Sequence, residues 1–65
     1  MENSVTARRS RLGWSQARLA EELGVSRQTV ISIEKGRFDP SLPLAFRLAR
    51  LFECAIEDVF DPGPL

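Results

Sequence analysis

Residues Ser15 to Gly36, "SQARLAEELGVSRQTVISIEKG", hold two short amphipathic helices with little more than a glycine between them. Ser15 is a competent N-cap for a helix over Gln16 to Leu23, whose inward positions are Leu19, Ala20 and Leu23. Gly24 supplies the left-handed residue that ends it. Ser26 caps a following helix from Arg27 to about Lys35, with Val30, Ile33 and Glu34 on its inner face, and Gly36 closes it. Helices this close in sequence cannot lie side by side as a simple antiparallel hairpin; they cross steeply. The second then protrudes, with Arg27, Gln28 and Thr29 on its leading edge. A small Ala20, a glycine four later, and apolar Val30 and Ile33 six and nine beyond that are the steric recipe of a helix-turn-helix at about 16–35.

Working outward, a first helix starts near Asn3 or Ser4, either of which can cap it, and runs to Leu12 before Gly13. Its inward stripe is Val5, Arg9 and Leu12, and an arginine inside an apolar stripe is unusual. Ser41 caps a fourth helix that tolerates Pro43 in its first turn and turns Leu44, Ala45, Leu48, Ala49 and Phe52 inward. A short fifth helix, Ile56 to Phe60, ends before Pro62. No alternating strand pattern, internal repeat or linker is present. The pattern predicts an all-α, compact five-helix architecture, with residues 1–65 as a single domain.

The chain has 65 residues, 43% hydrophobic and 28% charged, which describes one small globular unit rather than a disordered one. A single cysteine, Cys54, rules out an internal disulfide, and the absence of histidine rules out a His-containing zinc site. Cys54, beside Phe52 and Ile56, reads as a small buried hydrophobe, and Trp14 as a cover over the edge of the first two helices. No apolar run approaches the roughly 20 residues of a membrane span, and nothing resembles a signal peptide, so a cytoplasmic location is expected. The net charge is zero, but its distribution is uneven. Residues 1–38 carry seven basic and four acidic residues; residues 39–65 carry two basic and five acidic. A basic first part and an acidic second part create local potentials that the sum conceals. No paired-carboxylate, Cys–His or glycine-rich phosphate constellation points to an enzyme, and no cofactor or metal is implied.

The chain resembles the Cro/CI-type family of lambda-repressor-like regulators, also called the xenobiotic-response-element type, and within it the small single-domain bacterial members. The likeness covers "RLGWSQARLAEELGVSRQTVISIEKGRFDPSLPLAFRLARLF" and "IEDVF", nearly the whole chain; each motif is weak alone and the set is specific. Two departures stand out. Glu53 occupies the position where the family commonly has a glycine ending the fourth helix, and Ala55 the position of a capping serine, so the resemblance leaves the C-terminal end prone to fraying.

The resemblance implies a sequence-specific, double-stranded DNA-binding transcriptional regulator, most simply a repressor. Gln16, at the start of the second helix, is placed for a phosphate, together with that helix's own amides. Ser26 opens the reading helix. Arg27 suits guanine and Gln28 adenine, while Thr29 offers a hydroxyl or a methyl. Ser32 lies one turn beyond Gln28. Lys35 and Arg37 are placed for backbone phosphates. In the family an Arg and a Glu at the positions of Arg9 and Glu34 form a structural salt bridge across the helices.

One reading helix distinguishes too few bases for an operator, so a two-fold homodimer is expected. The surplus of apolar bulk near the end of the chain (Leu51, Phe52, Ile56, Val59, Phe60, Leu65) places its contact in the C-terminal helices. With so short a tail after the helices, no separate small-molecule domain is expected. Two other functions remain open: the DNA-binding antitoxin of a toxin–antitoxin pair, and a protein-interaction module that keeps the fold without reading DNA.

Overall fold

A computed structural model describes residues 2–61. Five helices follow in order: α1 (Val5–Arg11), α2 (Gln16–Leu23), α3 (Arg27–Glu34), α4 (Leu42–Leu51) and α5 (Ile56–Val59). A two-residue strand precedes them, β1 (Glu2–Asn3), and another follows, β2 (Phe60–Asp61). The two strands pair antiparallel, Glu2 opposite Asp61 and Asn3 opposite Phe60. Among the described residues the architecture is all-α apart from this ladder, which is too short for apolar alternation to register in sequence.

The helix starts follow from three serines with extended backbone. The hydroxyl oxygens of Ser15, Ser26 and Ser41 accept the amides of Arg18, Thr29 and Leu44 at 3.0, 3.2 and 3.4 Å. Each satisfies one of the amide donors that a helix leaves unpaired at its start. Helix α1 begins differently. Ser4 holds the cap position, but its hydroxyl donates to the carbonyl of Asp58 at 3.0 Å and accepts from Nε of Arg8 at 2.9 Å. The side-chain oxygen of Asn3 takes the amide of Val5 instead, at 3.1 Å.

Gly24 ends α2 with φ of +76°, and its amide and that of Val25 both reach the carbonyl of Ala20, at 2.9 and 3.0 Å. A Cβ added at Gly24 would meet no atom within 4 Å, so the requirement there is dihedral rather than spatial. Glu53 follows α4 with φ of +53°, the one left-handed non-glycine residue among those described. The chain keeps the turn that a glycine makes easily and tolerates the crowding of a Cβ there.

Leu19, Leu23, Val30, Ile33 and Leu48 are fully buried at the junction of α2, α3 and α4, with Val5 and Val59 closing it from the two ends. Ala20, Ala45 and Ala49 are buried too, and their small side chains let helix backbones approach. Leu12 departs from the stripe assigned to it: α1 stops at Arg11, the chain turns, and Leu12 is left 47% exposed. The apolar bulk assigned to a dimer surface is also largely internal. Val59 and Phe60 are buried, and Leu51, Phe52 and Ile56 are half-buried against the core; Leu65 lies outside the described residues. The cause is the ladder together with the bond from the amide of Ser4 to the carbonyl of Val59 at 2.8 Å, which fold the chain's two ends over one another. No described helix is long and apolar enough to cross a membrane.

Two substitutions should raise stability. Glu53→Gly removes the left-handed Cβ penalty and is expected to gain about 0.5–1 kcal/mol net of glycine's greater unfolded-state freedom. Ala55 has the extended backbone of a cap and lacks only the acceptor, while its amide already donates to the Asp58 carboxylate at 3.1 Å. Ala55→Ser completes that reciprocal pair for about 1 kcal/mol more. Thermal melts read by circular dichroism check both; an unchanged or lowered midpoint would contradict the turn and cap geometry.

Candidate nucleic-acid interface

Helix α3 has two faces with opposite chemistry. Val30 and Ile33 are sealed in the core, and the side chain of Glu34 is only 7% exposed. On the other side Arg27 and Gln28 are exposed, and Thr29 and Ser32 are half-buried. Gln28 and Ser32 are four residues apart and so lie one above the other on the helix surface. Lys35 and Arg37 are exposed just after the helix ends. The Ser26 and Thr29 hydroxyls stand 2.9 Å apart, so the first turn is held by a side-chain bond as well as the cap. That bond occupies one valence of the Thr29 hydroxyl and leaves its methyl available for apolar contact.

The inner face carries the more demanding chemistry. Arg9, on α1, donates from Nε to Glu34 Oε2 at 2.6 Å and from one terminal nitrogen to Oε1 at 3.3 Å. The other terminal nitrogen donates to the carbonyl of Trp14 at 2.8 Å. The two side chains are 15% and 7% exposed, so this is a nearly buried, two-pronged ion pair. Gln16 joins it from α2: its amide nitrogen donates to Glu34 Oε1 at 3.0 Å. The amide oxygen of the same Gln16 faces a terminal nitrogen of Arg27 at 3.5 Å. A continuous path therefore runs from α1 through the carboxylate of α3 to the start of α2, and back to the first residue of α3.

Burial on its own would raise the Glu34 carboxyl. Hydrogen bonds from Arg9 and Gln16, the charge of Arg9 and a hydrogen bond from Thr6 outweigh it and hold the group below the usual glutamate range. Among the described residues no buried side-chain nitrogen or oxygen lacks a partner.

Gln16 is thus drawn into the interior network, half-buried rather than projecting freely. Two contacts elsewhere in the fold carry no sequence signal. The Asn3 side-chain nitrogen donates to the Ile33 carbonyl at 2.8 Å, and Arg47 donates to the Leu23 carbonyl at 3.2 Å. These donors satisfy carbonyls near the C-terminal ends of α3 and α2, a role open to any long polar side chain that the fold brings within reach. The Arg18 guanidinium lies 4.8 Å from the centre of the Trp14 ring and pairs with Glu22 at 3.0 Å, so Trp14 is a half-buried cover with a cation on it. Among the described residues no group of three or more Cys, Asp or Glu is placed to hold a metal.

A family model described as helix-turn-helix matches residues 6–59. The chain is 52% identical over 60 residues to MJ0272 of Methanocaldococcus jannaschii, an uncharacterised HTH-type transcriptional regulator, covering 92% of this chain and 91% of the relative. It is 50% identical over 60 residues to YgzD of Bacillus subtilis, an uncharacterised regulator of the same type, with the same coverage of 92% and 91%. Among solved structures, the hypothetical transcription factor NHTF from Neisseria matches with a TM-score of 0.76 at 28% identity. That match covers 83% of this chain and 61% of the other, so this chain spans less than two thirds of its length.

The network makes stability depend on acid in a defined direction. Because the folded-state pKa of Glu34 is lowered, its contribution is complete above the unfolded-state value and is lost as pH falls through the folded one. Urea titrations from neutral pH downward should show this loss below about pH 4. Glu34→Ala should cost about 3 kcal/mol at pH 7 by leaving Arg9 unpaired, and should flatten that part of the acid profile. A near-neutral Glu34→Ala would mean the pair is solvated.

Proposed function

The chain belongs to the helix-turn-helix family of Cro/CI-type transcriptional regulators, and we propose that it is a sequence-specific repressor that reads double-stranded DNA with α3. The observation that carries this reading is the pair of exposed side chains Arg27 and Gln28 at the leading end of α3, backed by the buried Arg9–Glu34–Gln16 network. A base-reading side chain discriminates only when its donor atoms are held in register, and a helix anchored on its inner face provides that.

The roles divide by reach. Arg27 and Gln28 address base edges in the major groove, the arginine suited to guanine and the glutamine to adenine. The methyl of Thr29 suits thymine, and Ser32 extends the reading by one turn. Lys35 and Arg37 neutralise phosphates, and the amides at the start of α2 with Gln16 and those near Ser26 add neutral contacts to the backbone. Gln16 has a double part, since the oxygen that faces Arg27 limits where that guanidinium can swing. Two copies on a near-palindromic site place their helices in successive major grooves, about 34 Å apart. The protein acts in the cytoplasm, where the DNA is.

Selection of bound sites from random DNA gives the operator, and titrations on a panel of its variants then separate reading from positioning. Lys35→Ala and Arg37→Ala should weaken binding to every sequence and lower the salt slope by about 1 for each phosphate left without its cation. Arg27→Ala and Gln28→Ala should change which base is preferred, reducing discrimination by about 1–3 kcal/mol at one position of each half-site. Uniform weakening by Arg27→Ala would make that residue electrostatic only, and the absence of any selected site would overturn the reading.

A further inference from the structure

Asn3 stands where several distant parts of the chain meet. Its backbone lies opposite Phe60 in the terminal ladder, and the next amide, that of Ser4, is fixed to the Val59 carbonyl. Both ends of its half-buried side chain are engaged. Oδ1 accepts the Val5 amide at the start of α1 at 3.1 Å, and Nδ2 donates to the Ile33 carbonyl of α3 at 2.8 Å. The two bonds are not interchangeable, because only the nitrogen can donate to a carbonyl and only the oxygen can accept an amide.

The Ile33 carbonyl has a partner without Asn3, since it accepts the Gly36 amide at 3.0 Å. Asn3 takes its second lone pair, so the bond supplies position where pairing is complete. Its direction matters. The peptide groups of a helix lie roughly parallel to the axis, with their carbonyls toward the C-terminal end. Asn3 therefore holds α3 from behind, whereas the Glu34 side chain leaves the helix sideways toward Arg9 and Gln16. The sideways bonds resist rolling; the axial one resists sliding. Apolar packing at Val30 and Ile33 is non-directional and opposes sliding less.

We propose that Asn3 is a positioning residue for the reading helix, fixing how far α3 projects along its own axis. The inference rests on the DNA reading proposed above for α3. An eight-residue helix is about 12 Å long and moves as a rod, so a shift at Ile33 is passed on to Arg27 and Gln28 at the leading end. Bidentate contacts to a base edge weaken steeply when distance and angle are lost. Lys35, a flexible cation addressing phosphate, follows such a shift at little cost. The ladder and the Val59 carbonyl hold Asn3 in turn, so the joined ends of the chain are the stop against which α3 rests.

Two variants of the full chain remove the donor and keep an oxygen to cap α1: Asn3→Ser, which is neutral, and Asn3→Asp, which has the shape of asparagine. In the free wild type, NMR should show a scalar coupling across the hydrogen bond from Asn3 Nδ2 to the Ile33 carbonyl carbon. Both variants should keep the helical spectrum and shift the residual dipolar couplings of the α3 amides relative to those of α1 and α2. On the selected operator and its single-base variants, both should reduce the preference for the bases read by Arg27 and Gln28 by about tenfold. The affinity of Asn3→Ser for unrelated DNA should stay within about twofold, because no phosphate contact is removed. Absence of the scalar coupling, unchanged α3 couplings in both variants, or equal weakening on every sequence would each overturn the proposal. A wild type that selects no site, with α3 displaced in both variants, would count against the reading function and leave the hold of Asn3 on α3 standing.

Discussion

The carboxylate of Glu34 is the point at which three helices of the fold are fastened together. Arg9 reaches it from α1, Gln16 from α2, and its own backbone belongs to α3. Its side chain is almost dry, so each donor matters: a buried charge that loses a partner has no water to replace it. A carboxylate offers about four lone-pair directions, and here two meet the arginine fork while Gln16 and Thr6 take others. Such a group tolerates little independent movement of the helices around it. The angle at which α3 leaves the body is therefore set by directional bonds as well as by the apolar packing of Val30 and Ile33, which alone would permit some rolling.

What can be read from sequence is what local chemistry dictates. The boundaries of α2, α3 and α4 follow from three serines, one glycine and an apolar rhythm, each acting within a turn or two of itself. Arg9 announces itself as a charge among apolar positions, and Glu34 as an acid on a helix's inner face. The hidden parts depend on distant pieces of chain meeting. Nothing in "MENS" signals that Asn3 will donate to a carbonyl thirty residues away, or that two residues at each end will pair. Periodicity misplaces Leu12 because it extends a helix past the point where the chain turns, and only the turn decides exposure. Gln16 reads as a surface residue because its local context is polar; that it turns toward Glu34 follows from the crossing of α2 over α3.

The contacts at the chain's ends redistribute what the C-terminal residues can do. Once Val59 and Phe60 are covered by the N-terminal segment, the last helix has little apolar surface left to offer, although its composition suggests a surplus. The surface surplus lies on α4 instead, in Leu42 and Phe46, positions that an inward-facing pattern passes over because they lie off the buried stripe of Ala45, Leu48 and Ala49. Apolar content counted by segment and apolar content counted by face are different quantities, and only the second bears on assembly.

Gly24 and Glu53 stand in the same mirror-image region of backbone space, one after α2 and one after α4. Around Gly24 there is open room, so what restricts that site is chirality and not volume. A restriction of that kind is soft. It imposes a modest, fixed penalty on any L-residue with a Cβ, least on asparagine and aspartate, and it does not propagate into the packing. Position 53 carries such a penalty with a glutamate in place. Inherited variation at these two turns is therefore graded by handedness, whereas at Ala20 or Ala49, wedged between helices, it is limited by size.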